Sequence, residues 1–237
     1  MFEVNFDESY DGVGDVLWSV AGWIGPESAW QSLNRQWDEV FSRYPVSYFH
    51  ATDCEGGHRD YKGWNERDKD SLRFSLIHAI ESVRLTGISC AINVREAPHI
   101  ATRPEPYFYG MEYCIVEALR KTPSGEKMRI VFGKHDNANG KPKEVLNLLR
   151  ASLDFECADR ISSDEPKPGL NKHIPGLQAA DMLAYETYKH ARGLMAGAPT
   201  RKFYSRLEPM VLSSQFFNGS EIQMLIQERA KLEDAKG

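Results

Sequence analysis

Three aspartates stand where apolar segments begin or end. Asp7 follows the alternating stretch Phe2-Glu-Val-Asn-Phe6, Asp136 follows the compact apolar run Met128 to Phe132, and Asp181 is embedded between Ala180 and Met182. A carboxylate in apolar surroundings is costly unless a charge or a hydrogen-bond donor meets it. Carboxylates that converge repel one another, and a hard divalent cation is the physical remedy. Mg2+ or Mn2+ takes oxygen ligands and keeps several waters, and two such ions about 4 Å apart promote phosphodiester cleavage by activating a water and stabilising the leaving oxygen. Each aspartate also has a plainer reading. Asp7 and Asp136 fit turn or cap positions, and Asp181 fits a buried pair with an arginine. Separation in sequence does not by itself establish convergence.

Several other side chains fit around such a centre. His50 and Asp53 flank Thr52 where an apolar piece meets a glycine-rich loop. An imidazole there suits proton transfer or phosphate positioning near neutral pH, or a structural hydrogen bond; Asp53 alternatively caps a turn. Glu8 adjoins Asp7, and Glu112 lies between Met111 and Tyr113, as a fourth acid or as a solvent-facing glutamate. His135 adjoins Asp136, but no His-x-x-x-His pair supports a zinc site. Basic residues cluster beside two of the aspartates. Residues 118–143 hold seven bases, Lys134 and Lys141 among them, against two acids, and residues 189–206 hold five, including Lys189 and Arg192, with none. A basic rim beside an acidic centre suits a phosphate backbone; an ordinary solvated surface gives the same pattern. Tyr188, Phe203 and Tyr204 are candidates for base stacking or for core packing.

The elements that must position these groups follow from apolar period and punctuation. Residues 2–6 read as a strand and Val16 to Ile24 as its hairpin partner, closed by Gly25-Pro26. Trp30, Leu33, Trp37 and Val40 share one helical stripe, and Pro45 ends it. Leu72, Leu76, Ile77, Ile80 and Val83 mark a helix over 66–83, and Leu85 to Val94 reads as a strand. A helix is expected over Tyr107 to Leu119, a strand over Met128 to Phe132, and a helix over Lys143 to Leu153. Leu177 to Leu194 is the clearest helix, and the last forty residues read as helix after Pro209. This alternation predicts one mixed α/β domain spanning 1–237, with inserted loops near 55–65 and 162–172.

Asp7-Glu8-Ser9, then Val20-Ala21-Gly22-Trp23-Ile24, then Phe49-His50-Ala51, and last Leu177-Gln178-Ala179-Ala180-Asp181-Met182-Leu183-Ala184 resemble, in order, the landmarks of the family called domain of unknown function 3800 (DUF3800), found in bacteria and phages. The resemblance spans residues 4 to about 190 and implies a ribonuclease H-like α/β fold: a mixed sheet with an N-terminal antiparallel hairpin, flanked by helices. It further implies that Asp7, Asp136 and Asp181 are the metal-holding acids, with Mg2+ or Mn2+ as cofactor and nucleic acid as partner. Tyr10 departs from the family's glycine after Asp-Glu-Ser. The activity implied is metal-dependent hydrolysis of DNA or RNA. The alternative is a non-catalytic nucleic-acid-binding or accessory protein of a phage, mobile element or defence system.

Composition narrows the field. The 237 residues are 41% hydrophobic and 27% charged with a net charge of −5, which excludes a disordered or fibrous chain and a uniformly basic nucleic-acid coat. The four cysteines form no CxxC pair, so no zinc knuckle is expected. The first twelve residues carry four acids and no base, unlike a secretory signal, and no apolar run approaches the roughly 20 residues of a membrane span. The expected location is the cytoplasm. Gly133-Lys134 lacks a Walker pattern and Gly12-Val13-Gly14 a dinucleotide fingerprint, so no nucleotide cofactor is expected. Neither Ser9 nor Ser19 has the surroundings of a nucleophile elbow.

Overall fold

Phe2–Tyr10 (β1) and Leu17–Pro26 (β2) pair as an antiparallel hairpin, in register from Phe2 opposite Pro26 to Tyr10 opposite Trp18. β1 therefore runs past Phe6, and Asp7, Glu8 and Ser9 lie inside the strand rather than after it. The ladder to β2 carries the backbone on through these polar residues. In this computed structural model the described residues are 1–11, 16–96, 105–133, 146–147, 159–162, 167–169, 173–222 and 224.

β2 leads into α1 (Glu27–Phe41), which buries the expected stripe Trp30, Leu33, Trp37 and Val40. A run of turns and bends, extended at His50, then reaches α2 (Ala51–Gly56), which ends at Gly57 in the left-handed region. α3 (Glu66–Val83) begins at Asn65, whose side chain accepts the Asp68 N–H. β3 (Thr86–Asn93), α4 (Glu105–Lys121), β4 (Met128–Gly133), β5 (Lys167–Gly169), α5 (Pro175–Met195), α6 (Lys202–Leu207) and β6 (Val211–Phe217) follow.

The strands form one six-stranded sheet in the order β5-β4-β1-β2-β3-β6, with β2 antiparallel to both its neighbours and the other pairings parallel. A hairpin-led mixed sheet flanked by helices is the ribonuclease H-like arrangement expected from the sequence.

Alternation along the strands divides the core in two. Val4 and Phe6 of β1, with Val20, Ile88 and Cys90, pack under Met111, Cys114 and Ile115 of α4. Ala21 and Trp23 face the other way, toward α1, α3 and α5. α5 starts flush against β1, since a Cβ on Gly176 would stand 2.8 Å from Asn5 Cγ.

Three local expectations change. The stretch 55–65 holds the end of α2 and a 3-10 turn at Arg59–Tyr61. The region 162–172 contributes the short strand β5. After Pro209 the chain forms a strand first, and helix only from residue 219, at 219–222 and 224 among the described residues. Val211, Phe216 and Phe217 suit a pleated edge, and parallel pairing to β3 satisfies their backbone. The expected helix over 143–153 falls almost entirely outside the described residues. Among the described residues, no helix is long and apolar enough to cross a membrane.

Candidate functional site

Strand register fixes where Asp7 looks. Asn5, Asp7 and Ser9 pair with Trp23, Ala21 and Ser19, so all three belong to the α5 side of the sheet. Asn5 abuts Gly176, and the Ser19 hydroxyl lies within donating distance of the Ala184 carbonyl (2.8 Å) and the Ser9 carbonyl (3.0 Å), which share its one proton. Between those anchor points α5 rises about 12 Å and β1 advances about 13 Å, so helix and strand run side by side. Asp7, halfway along, faces the turn of α5 around Ala180, the turn that carries Asp181. Asp7 is 7% exposed, and its Oδ1 accepts the Glu8 N–H at 3.0 Å.

Asp181 is the seventh residue of α5, one turn deeper than a first-turn cap. It is buried, and its Oδ2 accepts the Ala51 N–H at 2.7 Å. Among the described residues no arginine pairs with it, and the charge of His50 would favour the Asp181 carboxylate. Three residues earlier, Gln178 Oε1 accepts the Phe49 N–H at 2.7 Å and the Trp37 indole N–H at 3.0 Å. His50 links Phe49 to Ala51 in extended conformation. Its Nδ1 lies 3.0 Å from Asp53 Oδ2, which is also 3.2 Å from Arg59 Nε. Arg59, in the left-handed region with φ 51°, donates to the Tyr48 hydroxyl at 2.8 Å.

Ion pairs hold α2 in place behind this cluster. Glu55 meets Lys189 at 3.1 Å and Arg201 at 2.6 Å, and Arg201 also meets the buried Glu186 at 3.0 Å. The basic run 189–206 is thereby largely engaged within the fold: Lys202 pairs with Asp70, Arg206 with Glu81, and Arg192 donates to the Tyr188 hydroxyl. Tyr188, Phe203 and Tyr204 are buried.

The electrostatics match a crowded acidic centre. Burial pushes the Asp181 carboxyl up to about 6, with Asp53 adding to the rise and His50 and the Ala51 N–H opposing it. The Glu8 carboxyl is pushed up to about 7, by burial first and by the Asp181 charge second. Glu8 alternates toward the α4 side of β1, opposite Val20, yet its carboxyl still senses Asp181. Burial is the leading cause of both rises, and a neighbouring carboxylate adds to each.

The donor types fit a hard divalent cation: oxygen ligands, buried and mutually repelling. Among the described residues no three His, Cys, Asp or Glu side chains are gathered as a metal site. Asp136, the third expected acid, lies outside the described residues, as do Lys134, Lys141 and His135. Glu112 lies in α4, across the sheet from α5. Sequence reading thus named Asp7, Glu8, His50, Asp53 and Asp181 at this end of the structure, and missed Gln178, Tyr48 and Arg59. Gln178 carried a signal: a polar side chain inside the apolar run Leu177 to Ala180.

Comparisons with known proteins bear on the fold. No protein-family model matches the chain, and no curated protein matches it. Solved ribonucleases H are similar to it. The RNase HII of a PCNA:RNase HII complex from Archaeoglobus fulgidus aligns with a TM-score of 0.45 at 14% identity, over 88% of this chain and 87% of that one. Bst-RNase HIII in complex with Mn2+ aligns with a TM-score of 0.46 at 10% identity, over 82% of this chain and 56% of that one. Both likenesses are loose, and the assignment of fold rests on strand order and pairing.

Proposed function

We propose that this chain is a divalent-metal-dependent hydrolase of phosphodiester bonds in DNA or RNA, and a distant relative of the DUF3800 family. The observation that carries the reading is the pair Asp7 and Asp181: two buried carboxylates, 174 residues apart, on the same side of the sheet and at the same level along it. Asp7, Asp136 and Asp181 would hold Mg2+ or Mn2+, which when bound supplies water activation and stabilisation of the leaving oxygen. β4, whose end at Gly133 precedes Asp136 in the sequence, runs parallel to β1 with Phe132 beside Phe6.

The chain's own groups have distinct tasks in this reading. Asp7 sits on a central strand, where the sheet holds it rigid. Asp181 keeps one oxygen on the Ala51 N–H and turns the other to the centre. His50, half-exposed and held at Nδ1 beside Asp53, exchanges a proton with the attacking water or the leaving oxygen. Lys134 and Lys141 draw in the phosphate backbone. Lys189 and Arg192 reach a phosphate only by leaving their present partners.

The non-catalytic alternative has one observation in its favour. The bond from the Ala51 N–H gives Asp181 a structural task of its own. The two readings separate in a panel of labelled single- and double-stranded DNA and RNA incubated with Mg2+, Mn2+ or EDTA, with D181N alongside. Cleavage that requires metal and vanishes in D181N supports the hydrolase. Retained binding with no cleavage under any metal contradicts it.

A further inference from the structure

Gln178 and Asp181 are three residues apart on α5, about 4.5 Å in rise and on neighbouring sides of the helix. Phe49 and Ala51 flank His50, whose backbone is extended at the start of α2. The structure joins the two pairs: Phe49 N–H to Gln178 Oε1 at 2.7 Å, and Ala51 N–H to Asp181 Oδ2 at 2.7 Å. All four residues are buried, with Gln178 only 2% exposed. His50 is the residue between the two clamped amides, and its carbonyl accepts the Cys54 N–H that opens α2.

We propose that Gln178 is a positioning residue: its amide oxygen clamps the 49–51 segment onto α5, which both orients Asp181 through Ala51 and delivers His50 to the acidic centre. An amide serves better than a carboxylate at this point. It offers a strong acceptor to two buried donors without adding charge one turn from Asp181 and within the field of Glu8. The segment has no ladder partner among the described strands, so its backbone depends on these acceptors. Losing Gln178 Oε1 would strand the Phe49 N–H and the Trp37 indole together, and the register of His50 and Ala51 on α5 would loosen with them.

Amide hydrogen exchange on the metal-free protein tests the clamp directly, and the kinetic arm rests on the hydrolase reading. Gln178→Met keeps the volume and removes the acceptor. The control is Trp37→Phe, which removes the other donor to Gln178 and leaves the Phe49 bond. In Q178M, exchange at both Phe49 and Ala51 is expected to rise by at least about tenfold, with kcat for cleavage falling by a similar factor and KM staying within about twofold. In W37F, Ala51 exchange and kcat stay within about twofold of the wild type. Gln178→Glu, which restores an acceptor oxygen, recovers Ala51 protection. A rise at Phe49 alone, with Ala51 unmoved, would show a purely local bond and overturn the proposal. Were Q178M not to fold, native-state exchange of the wild type decides. Phe49 and Ala51 opening in one step, with the same denaturant dependence, supports the clamp, and independent opening overturns it. A wild type without cleavage removes the hydrolase reading and leaves the exchange result to judge Gln178.

Discussion

The two faces of the central sheet are built on different rules. Under α4 the strands present Val4, Phe6, Val20, Ile88 and Ile92, and the helix answers with Met111, Cys114, Ile115 and Ala118. The buried polar groups of α4 lie toward its end and are satisfied nearby: Thr122 bonds back to the Ala118 carbonyl, and Glu117 pairs with Arg120. Under α5 the same strands present Asn5, Asp7, Ser19, Ser89 and Asn93, and the helix adds Gln178, Asp181 and Thr187, all buried. Among the described residues, Asn5 Oδ1, Asn93 Oδ1 and Thr187 Oγ1 have no hydrogen-bond partner. A core optimised for stability would not carry this load. The α4 face is an apolar scaffold, and the α5 face carries the buried polar load that the proposed hydrolase would use.

Substitutions on the two faces should therefore fail in opposite ways. Asp7→Asn and Asp181→Asn are each expected to lower metal-dependent cleavage by about a thousandfold or more, the equivalent of about 4 kcal/mol in the barrier. Their melting temperatures should be unchanged or raised, because each removes a repelling charge; calorimetry beside the cleavage assay checks both. A large loss of stability in D7N would place Asp7 in the scaffold and blur the contrast. Ile115→Ala, on the other face, should cost about 2–5 kcal/mol of stability in denaturant unfolding. The protein that remains folded should cleave at the wild-type rate.

The sequence made the scaffold legible and the site only partly so. Apolar period placed α3 to the residue and the start and buried stripe of α1, which ends at Phe41 ahead of the expected stop at Pro45, because a helix with one buried stripe repeats its signal every turn. It failed over Val211 to Phe217, which lies on a sheet edge and owes its state to β3, while the helix expected after Pro209 starts only at residue 219. It also stopped β1 at Phe6, because polar residues facing a site break the alternation that marks a strand. Asp7 and Asp181 were visible as charges out of place. The partners of Asp181 were not, since a backbone N–H such as that of Ala51 has no side-chain signature.

A smaller effect sharpens the comparison through pH. The Asp181 and Glu8 carboxyls titrate at about 6 and about 7 when folded, against about 4 in an unfolded chain. The folded protein holds the extra protons between these limits. The stability linked to these groups is thus fullest below about pH 4 and is lost as pH rises through the folded values. Without metal, the melting temperature should fall by a few degrees between about pH 5 and about pH 8, and Mn2+ should raise it more at the higher pH, where it need not displace protons. D181N should flatten the profile. A wild-type profile that rises with pH and ignores Mn2+ would mean that the carboxylates are relieved by other groups.

The central claim is that the α5 face is acidic in order to hold a hard cation. Titration of Mn2+ into the protein at about pH 8, followed through the paramagnetic resonance of the free ion, tests it without a substrate. The account predicts saturable binding with a dissociation constant below about 1 mM, weakened at least about tenfold in both D7N and D181N. No saturable binding up to about 10 mM, or binding that both variants leave unchanged, would contradict it.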